Sequence, residues 1–167
     1  MGRLQRILRH RWRDDTTHRA IPPALVQRLT EAVAASERLH TGEIRIYVEA
    51  SLPMSYLWRH ASARERAVAM FGKLRVWDTE HNNGVLIYLL LAEHAIEIVA
   101  DRGLNAHMTP QQWREIVQGM EAAFRAADYE KGLEQAVDAV TRVLVQHFPA
   151  QPGAANPNEL PDEPVLG

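Results

Sequence analysis

Oxygen donors crowd one short stretch of the chain: Asp78, Glu80, Asn82 and Asn83 lie together with His81 among them, and Asp101, Arg102 and Asn105 follow beyond an intervening hairpin. Carboxylate and amide oxygens are what hard cations prefer, so this set suits Ca2+ or Mg2+ better than zinc or copper. The chain has no cysteine, which removes thiolate metal sites, disulfides and cysteine nucleophiles. Arg102 carries the planar fork that grips a phosphate or carboxylate through two parallel bonds. Cation binding is one chemistry such a set supports. Hydrolysis of a phosphate ester is another, with the cation lowering the pKa of a bound water and Arg102 or His81 steadying phosphate charge. Ordinary turns use the same residue types, because Asp and Asn bond to nearby backbone and tolerate left-handed conformations. Both readings of residues 78–83 stay open. No serine or threonine sits in a nucleophile elbow, and no glycine has phosphate-cradling spacing, so neither covalent catalysis nor an organic cofactor is expected.

What brings these residues together is a hairpin. Residues 84–91 are apolar on both faces, which places that strand centrally with layers on each side. A turn centred on Glu93 sets Val85 opposite Asp101 and Gly84 opposite Arg102, so residues 78–83 meet residues 101–105. Residues 43–49 alternate, with Ile44, Ile46 and Val48 on one face and Glu43, Arg45, Tyr47 and Glu49 on the other. That pattern predicts a strand wet on one side and near a sheet edge. A right-handed crossover through a helix over 62–74 makes this strand parallel to 84–91, which adds His40 and Glu43 to the same end as Asn83 and Asp101. His40 also reads simply as a residue ending a helix, and His94, at the hairpin tip, as solvent-exposed.

Four helices flank these strands. Pro22 and Pro23 open one that runs to about Leu39, with Leu25, Leu29, Ala32, Val33 and Ser36 inward. After a loop over 51–61, Ser62 and Glu65 form a capping box for the second, with Val68, Phe71 and Leu74 inward. Thr109 and Pro110 start the third, whose stripe is Trp113, Ile116, Val117, Met120 and Phe124. The fourth carries Leu133, Ala136, Val137, Val140 and Leu144. Residues 1–19 form a basic amphipathic segment: arginines surround Leu4, Ile7, Leu8 and Trp12, and residues 1–13 fit either packing on the domain or a partner subunit, or contact with an anionic membrane surface. Residues 149–167 hold five prolines, three acids and no basic residue, which predicts a disordered tail. The folded domain is then 20–148.

The net charge is −2, and residues 20–167 hold thirteen Lys and Arg against nineteen Asp and Glu, which argues against a nucleic-acid-binding surface. The longest apolar run falls well short of the ~20 residues that span a bilayer. The expectation is a chain that neither crosses a membrane nor carries a signal peptide, working in the cytoplasm or peripherally on the inner membrane face.

Four short motifs, in this order, resemble the TPM domain family: Thr41-Gly42-Glu43-Ile44-Arg45-Ile46, Asn83-Gly84-Val85-Leu86-Ile87, Arg102-Gly103-Leu104, and Asp128-Tyr129-Glu130-Lys131-Gly132-Leu133. The family takes its name from a thylakoid lumen protein, a photosystem II repair protein and an animal acetylcholine-receptor accessory protein. The resemblance implies an α/β fold: a three-layer α/β sandwich on a small mixed sheet, joining a parallel β-α-β unit to the antiparallel hairpin, with about four helices. It further implies divalent cation binding or acid phosphatase activity, as known for some members. As companions it implies a LemA-type membrane protein or another TPM protein. Asn82 stands where many members carry an acid, and Asp101 where many carry glycine. The functional expectation is an accessory module beside a membrane-associated assembly, binding a cation; the alternatives are a metal-dependent acid phosphatase and a purely structural module.

Overall fold

The computed structural model describes residues 5–8, 16–153 and 156–167. Its centre is a mixed sheet of four strands, β1 (Ile44–Glu49), β2 (Val85–Leu90), β3 (Ala95–Ala100) and β4 (Val165–Leu166), in the order β3-β2-β1-β4. β1 runs parallel to β2 and to β4, and β2 is antiparallel to β3. All six side chains of β2 are buried, as its unbroken apolar run requires. They alternate between two cores. Val85, Ile87 and Leu89 join Ile44, Ile46, Val48, Ile96 and Ile98 under the long helices, while Leu86, Tyr88 and Leu90 join Tyr47 and Val99 on the opposite face. The result is three layers, helix on sheet on helix.

The helices in chain order are α1 (Thr16–Ala20), α2 (Pro23–Glu37), α3 (Met54–Trp58), α4 (Ala63–Lys73), α5 (Arg102–Asn105), α6 (Pro110–Arg125) and α7 (Tyr129–His147). The four long ones are those the periodicity predicts. α4 and α6 each begin with a capping box, Ser62 with Glu65 and Thr109 with Gln112, in which side chain and backbone satisfy each other's free donors. α2, α6 and α7 cover one face of the sheet, and α3 and α4 the other.

Several expectations change. The stretch 51–61 is not only loop, since α3 forms after Pro53. On α4, Phe71 and Leu74 pack on the second core as expected, but the most buried residues are Ala63, Ala67 and Met70, and Val68 is 50% exposed. The hairpin register is shifted by one, with Val85 opposite Ala100. A 3-10 turn, Leu91–Glu93, closed by left-handed His94, makes a four-residue connection, so the pairing centre falls between residues. His94 is not simply solvated, for its Nδ1 lies 3.0 Å from Phe124 O.

The polar face of β1 is dry as well. Tyr47 and Glu49 are buried beneath α4, where Arg66 donates to both Glu49 oxygens, at 2.6 Å from Nη2 to Oε1 and 3.0 Å from Nε to Oε2. Tyr88 donates its hydroxyl to Glu49 Oε2 at 2.7 Å. This network joins β1, β2 and the crossover helix through one carboxylate.

The tail differs most from expectation. Residues 156–167 lie on the domain and supply β4, and Gly167 N donates to Val48 O at 2.8 Å. Of the N-terminal segment, 1–4 and 9–15 lie outside the described residues. Within 5–8, Arg6 pairs with Glu93 at 2.7 Å and Ile7 packs on the second core. Among the described residues no helix is long and apolar enough to cross a membrane.

Replacing Arg66 with alanine strands a buried carboxylate. The expected cost is about 3 kcal/mol, read as a lower urea midpoint at unchanged m-value; a midpoint within error of the parent would show that the pair contributes nothing.

Candidate functional site

Three chain segments converge at the end of the sheet where β1 and β2 begin and β3 stops. Val85 N donates to Glu43 O at 2.8 Å, Asp101 N to Gly84 O at 2.9 Å, and Gly103 N to Asn82 O at 2.9 Å. Gly103 is what permits the last contact, since a Cβ there would stand 2.5 Å from Asn82 O and 2.8 Å from His81 O. Thr79 shapes the loop above it: its carbonyl accepts from Asn82 N and its hydroxyl from Asn83 N, both at 3.2 Å. Asn82 takes the left-handed conformation at φ 51°, as turn chemistry predicts for asparagine.

The expected ligands differ in exposure and in partners. Asp78 is 52% exposed and pairs with Arg75 at 3.0 Å. Glu80 is exposed, and its backbone N–H donates to a carboxylate oxygen of Glu159 at 2.9 Å. Asn82 Oδ1 accepts from Arg102 Nε at 2.9 Å, which engages both residues. His81 and Asn105 are exposed. Asn83 and Asp101 are different. Asn83 is fully buried, with Nδ2 donating to Thr41 Oγ1 at 3.2 Å, and its Oδ1 accepts from nothing. Asp101 caps α5 by accepting Arg102 N at Oδ1, 2.7 Å away, while its buried Oδ2 has no partner. Among the described residues no three His, Cys, Asp or Glu side chains form a metal-sized group.

His40 and Glu43 do reach this end of the sheet, but the tail covers them. Asn156 Nδ2 donates to the carbonyls of Glu37 and His40, at 3.1 and 3.0 Å, and Leu160 N to Glu43 Oε2 at 3.1 Å. Arg45 Nη1 reaches back to Pro161 O and Glu163 O. His40 is fully buried against Ser36 Oγ, 2.7 Å from Nε2, and burial lowers its pKa to about 4. Sequence reasoning missed Glu37. Its signal was position, one turn beyond Val33 on the apolar stripe of α2. Glu37 Oε1 accepts Ile44 N at 2.9 Å; burial, with Glu43 and Asp162 nearby, pushes its pKa up to about 8. Burial, with Glu159 and Asp162, takes Glu43 to about 7.

These shifts set a pH profile. Glu37 and Glu43 bind protons in the folded state that the unfolded chain releases, so their contribution is full below about 4.5 and is lost as pH rises through about 7 and 8. His40 acts oppositely, its contribution being present above 6.5 and lost as pH falls through about 4. The melting temperature is expected to fall between about pH 6.5, above which His40 no longer offsets the glutamates, and about pH 8. Glu37→Gln, which keeps an oxygen for Ile44 N, should flatten that fall; an unchanged slope would assign it to other groups.

Comparison with known proteins bears on the whole of this scaffold. The NMR structure of the BA42 protein from the psychrophilic bacterium Bizionia argentinensis superposes with a TM-score of 0.75 at 22% identity, over 88% of this chain and 95% of that one. The N-terminal domain of a P. gingivalis protein, also solved by NMR, gives 0.62 at 20% identity, over 77% and 81%. These likenesses are of fold. No curated protein matches the sequence. A sequence model described as the TPM domain matches residues 16–143, from α1 into α7, which spans the sheet end, both cores and the loop over Asn83. The chain belongs to the TPM domain family.

Proposed function

We propose that this TPM domain is a binding module that takes a hard divalent cation, Ca2+ or Mg2+, at Asp101 and Asn83. The observation that carries the reading is the pair of buried oxygens, Asn83 Oδ1 and Asp101 Oδ2, that have no donor. A buried acceptor without a partner costs about 1–3 kcal/mol, and more when charged, so two at one sheet end call for a donor or a cation. A carboxylate and an amide carbonyl are ligands of the right hardness, and the carbonyls of His81 and Asn82 stand against neighbouring Gly103. A cation bound there would fix the 78–83 loop against the end of β3 and offset the charge of Asp101.

On this reading the protein acts by binding, as an accessory beside a membrane-associated assembly, with a LemA-type membrane protein or another TPM protein as partner. Leu8, 49% exposed next to the docked Arg6 and Ile7, supports a role for the basic N-terminal segment in that contact. The alternative, a metal-dependent phosphatase, rests on Arg102 standing beside the same site with its Nε held by Asn82.

One series of measurements separates the two. Titrating Ca2+ and Mg2+ is expected to raise the melting temperature of the parent chain, by the equivalent of about 2.7 kcal/mol at a hundredfold excess over Kd. Asp101→Asn keeps an oxygen to cap α5 but removes the charge, and should lose that rise without unfolding. No rise with either cation would sink the binding reading. Turnover of a chromogenic phosphate ester that needs the cation and disappears in Asp101→Asn would favour the phosphatase.

A further inference from the structure

β3 is an outer strand, and a single contact fixes which of its backbone groups face outward. Because Asp101 N donates to Gly84 O, residues of the same parity, Ala95, Glu97 and Val99, direct N–H and C=O toward β2. Ile96, Ile98 and Ala100 direct theirs away from the sheet. One of these groups is taken, since Arg64 Nη1 of α4 donates to Ile98 O at 2.5 Å. The other outward groups have no partner among the described residues. α4 packs on one face of β3 beside Val99 and α6 on the other beside Ile96 and Ile98, so the two helices wall the free edge.

Between these walls lies a cavity of about 750 Å3 lined by β3, Arg64, Met108, Trp113, Arg114 and Val117. Trp113, 9% exposed, lines it with an apolar ring. One feature of the lining, its charge, asks for an acidic ligand. Glu97 is met by Arg64 at 3.6 Å and Glu121 by Arg125, whereas the guanidinium of Arg114 bonds the neutral Gln111 amide, at 2.8 Å, and no carboxylate among the described residues.

We propose that this groove docks an extended peptide segment of a partner protein, which pairs with the free edge of β3 and sets an acidic side chain against Arg114. Main-chain pairing to an exposed edge gives affinity, and side-chain pockets give specificity. Here the outward N–H groups of Ile96 and Ala100 meet peptide carbonyls, and an apolar side chain fills the space beside Met108 and Val117. This site lies along the edge of β3 and does not depend on cation binding at Asp101.

The test selects a displayed library of random short peptides against the full chain, then measures one synthesised winner in solution. The expected winners carry an acid next to an apolar residue, and binding should slow hydrogen exchange at Ile96 and Ala100 and shift the Trp113 indole resonance. Ala100→Pro removes an outward donor without touching the β2 ladder, and should weaken binding about tenfold. Arg114→Glu, at an exposed helical position, should weaken it comparably and spare a peptide whose acid is neutralised. Three results would overturn the proposal: no peptide enriched, an affinity unmoved by both substitutions, or a dimer of the chain that Ala100→Pro dissolves, which would give the edge to a second copy.

Discussion

β2 exposes none of its side chains, and the molecule is organised around that demand. A strand apolar on both faces is stable only between two covering layers, and its backbone needs a neighbour on each side. β1 and β3 supply the neighbours. α2, α6 and α7 supply one layer, and α3 and α4 the other. Parallel pairing of β1 with β2 forces the chain to cross the sheet between them, and α4 is that crossing. The Glu49 carboxylate ties the three together by accepting from Arg66 of α4 and from Tyr88 of β2. The site at the sheet end is a by-product of the same demand. Where β2 starts, its polar approach, Asn82 and Asn83, has to pass from solvent into the interior, and Asn83 arrives with an acceptor unused.

Much of this frame was legible in the sequence because it is written in local chemistry. The capping boxes at Ser62 and Thr109, the prolines opening α2 and α6, and the apolar run of β2 each specify their element without reference to the rest. The convergence of His40, Glu43, Asn83 and Asp101 on one end was legible too, since it follows from the hairpin and one parallel pairing. What stayed hidden depends on distant partners. The alternation of β1 is that of a half-wet strand, and only the reach of Arg66 from α4 shows why Tyr47 and Glu49 are dry. Glu37 on an apolar stripe reads as an exception until Ile44 N is found bonded to it.

The tail shows the limits of composition. Few apolar residues and many prolines predict disorder because there is little surface to bury. Here the few suffice: Leu160 is 8% exposed, Asn156 ties two carbonyls, and the Glu159 carboxylate accepts from the backbone N–H of Glu80. The domain offers places made in advance, so the segment orders by docking rather than by forming a core of its own.

That arrangement has a kinetic side. β4 pairs with the first strand of the sheet although it comes last in the chain, and Thr17 Oγ1 donates to Gly167 O at 3.1 Å, bringing distant stretches together. Closing so long a loop gains little until β1 and β2 are in place, so docking of β4 belongs to the late phase of folding. The same two-residue strand is the natural first step of local unfolding, a small opening that would bare the flank of β1 while both cores remain intact.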